Sequence, residues 1–424
     1  MFNMLEIRFV DIHGTLKAMN LPVDIEKLSH ATTDPVFTEG INIDGSSVAG
    51  FTSLENSDLH LIPVPESLFE LPYTDEPKLA VMCEIHQDGK TFAGDTRSQL
   101  KKVIDKHLTS KGLSLKVGPE PEFYLFKDNV PVDQGQYADI FPNAVVEGMV
   151  KRFSQYLTKA LIQPKVHHHE VGPGQYEIEI GYDTVLRIAD IIVTYKATIR
   201  ALAAKLGHTA TFMPKPFAHL VGNGMHCHLS LWEGAKNLFS DLDPKKISPL
   251  AEHFMAGILE HAQAMTALVA PTVNSYKRLV PGYEAPVYVA WGPLNRSALI
   301  RVPMINKPQL TRFEYRCPDP SCNPYLAFIC IVTAGMDGIK HELELPPPVR
   351  KNIYELTVIE RQEKNIKTLP GNLFEALSFL KKDKILCDAL GEHICKKFFQ
   401  LKEQEWLQYS TQVTDWDWKN YLNI

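Results

Sequence analysis

Four short stretches of this chain alternate in a way that decides much of what it can become. In Gly118-Pro-Glu-Pro-Glu-Phe123, Glu120 and Glu122 stand two residues apart, and strand side chains repeat every two residues, so both carboxylates point the same way. In Met225-His-Cys-His-Leu-Ser-Leu231, His226, His228 and Ser230 share one face, while Met225, Cys227, Leu229 and Leu231 take the other. Arg312, Glu314 and Arg316 share a face in Thr311–Arg316, and Glu170 and Glu177 flank a Gly-Pro-Gly turn. A single half-polar strand is ordinary exposed sheet. Four of them, gathering five glutamates with two histidines, require a counter-charge.

Packed carboxylates raise one another's pKa unless cations neutralise them. Oxygen donors with an imidazole suit Mg²⁺ or Mn²⁺ rather than the sulfur-rich sites of structural zinc. Arg296, Arg301, Arg312 and Arg316 lie on or near the same strands and suit a polyanion such as a nucleotide phosphate. Carboxylates for metals and arginines for phosphates make the composition of a phosphoryl-transfer site. The chain has no GxxxxGK[ST] loop and no kinase-like Gly-rich loop, so metals and side chains must hold the phosphates. Residue chemistry alone stops at a metal-dependent, nucleotide-using enzyme.

The rest of the chain is compatible with that reading. Its 424 residues allow two or three domains and a sizeable core, and 22% charged with 45% hydrophobic residues exclude a disordered or fibrous chain. The net charge of −6 gives no support for a nucleic-acid partner. Lys and Arg are spread along the chain and read as solvated surface. Seven cysteines without a CxxC pair read as buried free thiols in a reducing compartment. Glu6 and Arg8 interrupt the first apolar stretch, so it is no secretory signal. The run Tyr325–Met336 is too short to span a bilayer, which points away from a membrane and towards the cytoplasm.

Alternation predicts strands over Leu5–Val10, Leu16–Val23 and Leu79–Ile85, with a hairpin turn at Asp88–Lys90. A helix is predicted after Asp95, running towards Gly112, and others over about 143–160, through Ile192–Leu206, and over 249–269, 323–343 and 373–407. Pro346–Pro348 reads as a rigid connector. The fold class is α+β: a small mostly-β domain, a boundary near Thr91, then a large domain with a sheet and peripheral helices.

At Asp44-Gly-Ser-Ser47, Gly118–Phe123, His168-His-Glu-Val171, Thr211–Pro216, Gly224–His228, Asn274–Pro286, Asn295–Ser297 and Asn323–Tyr325 the chain resembles the class I glutamine synthetase family. The motifs run in order along essentially the whole chain. The resemblance implies a β-grasp-like domain over residues 1–90 and a catalytic domain with a curved antiparallel sheet over 91–424. It implies glutamate–ammonia ligase activity through a γ-glutamyl phosphate, with ATP as co-substrate and two or more Mg²⁺ or Mn²⁺ ions per subunit. By motif position, Glu122, Glu170 and Glu177 would hold one ion, and Glu120, His226 and Glu314 another. Arg296 and Arg316 would offset charge on the transferred phosphoryl group. Arg278 and Gly222 match glutamate-binding positions, and His228, Ser230, Arg301 and Arg312 match ATP-contacting ones. Asp44 would take the proton from ammonium in a pocket lined by Ser47, Tyr137, Glu170 and Glu284, with Glu284 closing over the intermediate. In the family Asp44 reaches a neighbour's site, which implies a dodecamer of stacked rings with shared active sites.

Some residues fall outside the pattern. Tyr176 and Glu179 match no ligand position and read as strand residues, Tyr354 reads as structural, and His167 and His168 as surface imidazoles. Val221 stands where an Asn steadies the glutamate loop, and Lys165 where a nucleotide-side Glu is common. The chain also lacks the N-terminal helix most relatives carry, which bears on contacts between rings. The near alternative is a γ-glutamyl ligase using a small organic amine or polyamine; the retained Asp44, Ser47 and Tyr137 favour ammonia. The alternative of another class is an inactive scaffold or regulator, which would be expected to lose metal ligands, whereas all six are present.

Overall fold

The computed structural model describes residues 3–24, 35–71, 73–76, 78–140, 144–241, 243, 246–282, 285–304 and 307–424. Alternation in the first ninety residues becomes a seven-stranded sheet whose central order is Leu16–Val23, Asn3–Val10, Lys78–Gln87, Asp58–Pro63, Ile41–Asp44. Asn3–Val10 runs parallel to Lys78–Gln87, and the other neighbours in this path are antiparallel. Leu5, Ile7, Val81, Cys83 and Ile85 bury one face in a small core of its own.

The turn after the first strand ties this sheet to the rest of the molecule. Asp11 Oδ1 accepts the amides of His13 and Thr15, and Gly14 takes a φ of +83°. The Asn323 side chain donates to the Asp11 and Ile12 carbonyls at 3.1 and 3.3 Å, while its own Oδ1 caps the helix Pro324–Lys340. A Cβ on Gly14 would lie 2.6 Å from the Asn323 Cα, so only glycine fits this junction.

The second sheet has eleven strands, seven of which run in the order Pro164–His169, Gln175–Ile180, Leu113–Lys127, Met225–Glu233, Phe313–Tyr315, Ile300–Val302, Trp291–Pro293. It is antiparallel except for its last pair, and helices Thr96–His107, Val185–Lys205, Pro249–Val269 and Pro324–Lys340 supply much of the core around it. Leu113–Lys127 is central and carries Pro119 and Pro121, which have no N–H to give a ladder. One neighbour pairs up to Val117 and the next begins at Glu122, with both prolines in between. The ladder is interrupted on that edge alone, beside Glu120, while Met225–Glu233 stays paired through Pro119, Glu120 and Pro121 on the other.

Three expectations need correction. The 373–407 helix is three helices, Leu373–Lys382, Lys384–Leu390 and Glu392–Ser410, because Asp383 caps a new start and Gly391 takes a φ of +81°. Arg8, Arg97, Lys196 and Lys402 are buried rather than solvated, each with carbonyl, carboxylate or hydroxyl partners. Five cysteines are buried free thiols, but Cys387 and Cys395 are partly exposed. The Tyr325–Met336 run is a buried core helix, and among the described residues no helix is long and apolar enough to cross a membrane.

Candidate active site

The ladder registers carry the polar faces together. His226 faces Glu120 across one strand pair, His228 faces Glu314 across the next, and Glu177 lies between Glu122 on one side and His168 on the other. The result is one pocket beside the interrupted ladder, lined by Glu120, Glu122, Glu170, Glu177, His226 and Glu314, with Tyr137, Gly222, Arg278, Arg296, Arg301 and Arg316 around them. A second pocket continues from it through Glu120 and Glu179 and is lined by His228, Ser230 and Arg312.

Within the pocket, His228 Nε2 lies 2.7 Å from Glu120 Oε1, and His226 Nδ1 lies 3.8 Å from Glu120 Oε2 and 3.5 Å from Glu314 Oε1. Glu314 is also held by Arg301 at 2.5 Å and by Arg316. Burial would raise the Glu314 carboxyl, but Arg316, His226, His228 and Arg301 together hold it well below its ordinary value. Glu122 and Glu177 are in the opposite state. Burial, and then the Glu170 carboxylate, push Glu122 up to about 8; burial and the neighbouring Glu120, Glu122, Glu170 and Glu179 raise Glu177 as well. Burial with nearby Arg316 keeps the His226 imidazole well below its usual range, hence neutral with a lone pair to give.

These are carboxylates short of positive charge beside a neutral imidazole, and that donor set fits hard divalent cations. Three groups of donor atoms lie within 4.8 Å of one another: Glu120, His228 and Glu314; His168, Glu170 and Glu177; and Glu120, Glu177 and Glu179. They overlap the two triads the motifs imply without coinciding with them. His226 stands beside the first group, and Glu122 forms the wall behind the second, where Gly224 N–H donates to its Oε2 at 2.8 Å.

His168 and Glu179, expected as a surface imidazole and a strand residue, both belong to this pocket. His168 Nε2 lies 3.1 Å from Glu170, whose carboxylate raises the imidazole, and its ring meets Tyr137 edge-on. Glu179 follows Glu177 by two on Gln175–Ile180 and so shares its face, and it pairs with Lys165 at 3.4 Å. The same two-residue period that gathered Glu120 and Glu122 marks both. Tyr176 is buried and donates its hydroxyl to Asp133, and Tyr354 is half-buried with its hydroxyl on the Ala285 carbonyl.

Two glycines sit close against the opposite wall, Gly222 against backbone and Gly224 against side chains. A Cβ on Gly222 would lie 2.5 Å from the Pro214 carbonyl and 2.8 Å from Arg278 Cγ. One on Gly224 would meet Arg278 Nη2 at 2.8 Å, His226 Nε2 at 2.9 Å and Glu122 Oε1 at 3.1 Å. Arg278 itself is buried, with Nη1 and Nη2 donating to the Cys317 and Arg316 carbonyls at 2.9 and 3.2 Å.

Two expected site residues are elsewhere. Asp44 and Ser47 lie at the edge of the N-terminal sheet, exposed and not among the residues lining this chain's pocket. Asp44 accepts hydrogen bonds from Ser46 at 2.6 Å and Ser47 at 2.5 Å, which hold its carboxyl below the usual value. Glu284 lies outside the described residues.

A family model described as glutamine synthetase, catalytic domain, matches residues 93–421, and one described as glutamine synthetase, beta-Grasp domain, matches residues 1–88. A glutamine synthetase of Thermotoga maritima is 46% identical over 431 residues, covering 99% of this chain and 96% of the relative. Among solved structures, a GmaS/ADP complex is 31% identical with a TM-score of 0.89, covering 100% of this chain and 97% of that one. The cryo-EM structure of Plasmodium falciparum glutamine synthetase is 25% identical with a TM-score of 0.85, covering 99% and 95%.

Proposed function

The chain belongs to the glutamine synthetase family, and from that premise we propose how its own residues divide the work of joining ammonia to glutamate at the expense of ATP. The observation that carries the reading is the convergence of eight carboxylate and imidazole donors and four arginines on one pocket. A carboxylate is a poor electrophile, so its activation as γ-glutamyl phosphate is the step the arginines serve. Arg296 and Arg316 face the pocket where phosphoryl charge would develop, with Arg301 beside them, and Arg312, His228 and Ser230 line the adjoining pocket where the nucleotide would lie.

Members of the family depend on ATP and divalent metal. Glu122, Glu170 and Glu177 would hold one ion and Glu120, His226 and Glu314 another, Mg²⁺ or Mn²⁺, with His168 and Glu179 within reach. Bound, such ions offset the carboxylates and the phosphates together. Arg278 and the Gly222 wall bind glutamate. Asp44 is the base that takes a proton from ammonium, Tyr137 with Ser47 lines that pocket, and Glu284 covers the intermediate.

Asp44 lies outside its own chain's pocket, which supports sites completed between subunits of a homo-oligomer, a dodecamer of two stacked rings. The exposed aromatic C-terminus, with Trp416, Trp418 and Tyr421 all half-exposed or more, supports a further contact of that assembly. Seven free thiols support a cytoplasmic setting.

The reading is tested by phosphate release from ATP and glutamate, with ammonium compared against methylamine, ethanolamine and polyamines. Ammonium is expected to give the highest kcat/KM; a rate with an amine and none with ammonium would replace ammonia as the acceptor.

A further inference from the structure

Val221, Gly222 and Gly224 line the side of the pocket proposed to take glutamate, and the hydrogen bonds of the segment Leu220–Gly224 run to an unexpected set of partners. Three successive carbonyls each accept from a side chain: Leu220 from Lys215, Val221 from the Tyr124 hydroxyl at 2.8 Å, and Gly222 from Gln175 Nε2 at 3.1 Å. Val221 has no hydrogen-bonding side chain, and main-chain anchoring does its work. The loop is held by what surrounds it.

Gln175 does more than hold the loop. It is 1% exposed, and its Nε2 also lies 3.1 Å from Glu122 Oε2 and 3.1 Å from Asn223 Oδ1. Its Oε1 accepts the Gly172 amide at 3.1 Å. Acceptors surround the nitrogen and a donor faces the oxygen, so the amide has only one satisfied orientation. Glu122 Oε2, which it grips, also accepts the Gly224 amide at 2.8 Å, and the Glu122 amide returns a bond to the Gly224 carbonyl at 3.0 Å. One buried carboxamide therefore touches a proposed cation ligand and the backbone that shapes the glutamate wall. Side chains behind a metal ligand fix its orientation and tune affinity.

We propose that Gln175 is a positioning residue that couples Glu122 to the Gly222–Gly224 wall, so that cation affinity and glutamate affinity depend on the same side chain. The inference rests on the reading of the pocket given above. Gln175→Met keeps the volume and removes both the donor and the acceptor. Electron paramagnetic resonance of free Mn²⁺, titrated without substrates, should show one class of site weakened by about 10–100-fold. The glutamate KM should rise by about tenfold while the ATP KM stays within about twofold, a split that general loosening of the fold would not give. Gln175→Asn, which keeps a shorter amide, should show the same split at smaller size, and it serves if the Met variant fails to fold. Unchanged Mn²⁺ binding, or glutamate and ATP KM rising together, would overturn the proposal. The Mn²⁺ titration uses no substrate. An active enzyme with unaltered Mn²⁺ binding in the variant therefore removes Gln175's role alone, whereas a wild-type protein inactive with ammonium removes the acceptor assignment and leaves the cation result standing.

Discussion

The pocket in the large sheet and the Asp44 turn in the small one are both assigned to a single reaction, yet they are built in opposite ways. The pocket is buried and over-determined: Glu314 meets two arginines and a histidine, and Glu122 is gripped by a backbone amide and a carboxamide. The Asp44 turn is exposed, and its carboxylate is satisfied by Ser46 and Ser47 from its own loop. A self-satisfied turn keeps its shape without neighbours and can be presented to another copy. The pocket, by contrast, can hold cations and phosphates within one chain but has no Asp44 of its own. On the proposed reading, the difference would separate phosphoryl transfer from ammonia activation.

Breaking the pocket should have the largest effect. Glu314→Ala leaves Arg301 and Arg316 without their shared carboxylate in a buried setting, and losing one partner of such a pair costs about 3–5 kcal/mol. Activity should vanish and thermal denaturation should shift sharply downward; a stable, active variant would mean that the pocket is not built around that carboxylate. Asp44→Ala should act on the other half alone. The kcat for glutamine formation should fall by about 10²–10⁴, the range for a lost general base, with little change in ATP affinity or in folding. Equal loss of ATP binding would erase the proposed division between the two regions.

A third test is a slope with pH, to which the pocket contributes through Glu122. Glu122 is pushed up to about 8 in the folded protein from an ordinary value of 4.5. Between those values the folded state holds a proton that the unfolded chain has lost. Metal-free protein should therefore lose stability as pH rises from 4.5 to 8, by at most about 1.4 kcal/mol per pH unit for each such group, and level off above that. Saturating Mn²⁺ should flatten the slope, because the cation takes the proton's place. Melting curves from pH 5 to 8, with and without Mn²⁺, check this. A slope unaffected by the cation would place its origin elsewhere.

The same contrast explains what could be read in the sequence. The period of two gathers Glu120 with Glu122, His226 with His228, and Glu314 with its flanking arginines, because a strand face is a local property. It marks His168 and Glu179 equally well, but single residues beside a turn look like surface. Asp44 has no such local signature: Asp-Gly is a turn wherever it occurs, and only the resemblance gave it a role. Gln175 was invisible for another reason. An amide reveals itself through its partners, and Glu122, Gly222 and Asn223 come from 47 to 53 residues away. The three C-terminal helices were merged because apolar periodicity persists across Asp383 and Gly391, while the breaks depend on one cap and one backbone angle.

The account's central claim, that a pocket in one chain is completed by Asp44 of another, is tested most directly by mixing two inactive variants. Asp44→Ala and Glu314→Ala subunits would be co-expressed with different tags, the mixed oligomer purified through both, and glutamine formation measured. If sites are shared, random assembly leaves about a quarter of them with both residues intact, and activity should return to about that fraction of the wild-type rate. Mixed oligomers as inactive as either parent would place Asp44 and Glu314 in the same chain's site and contradict the account.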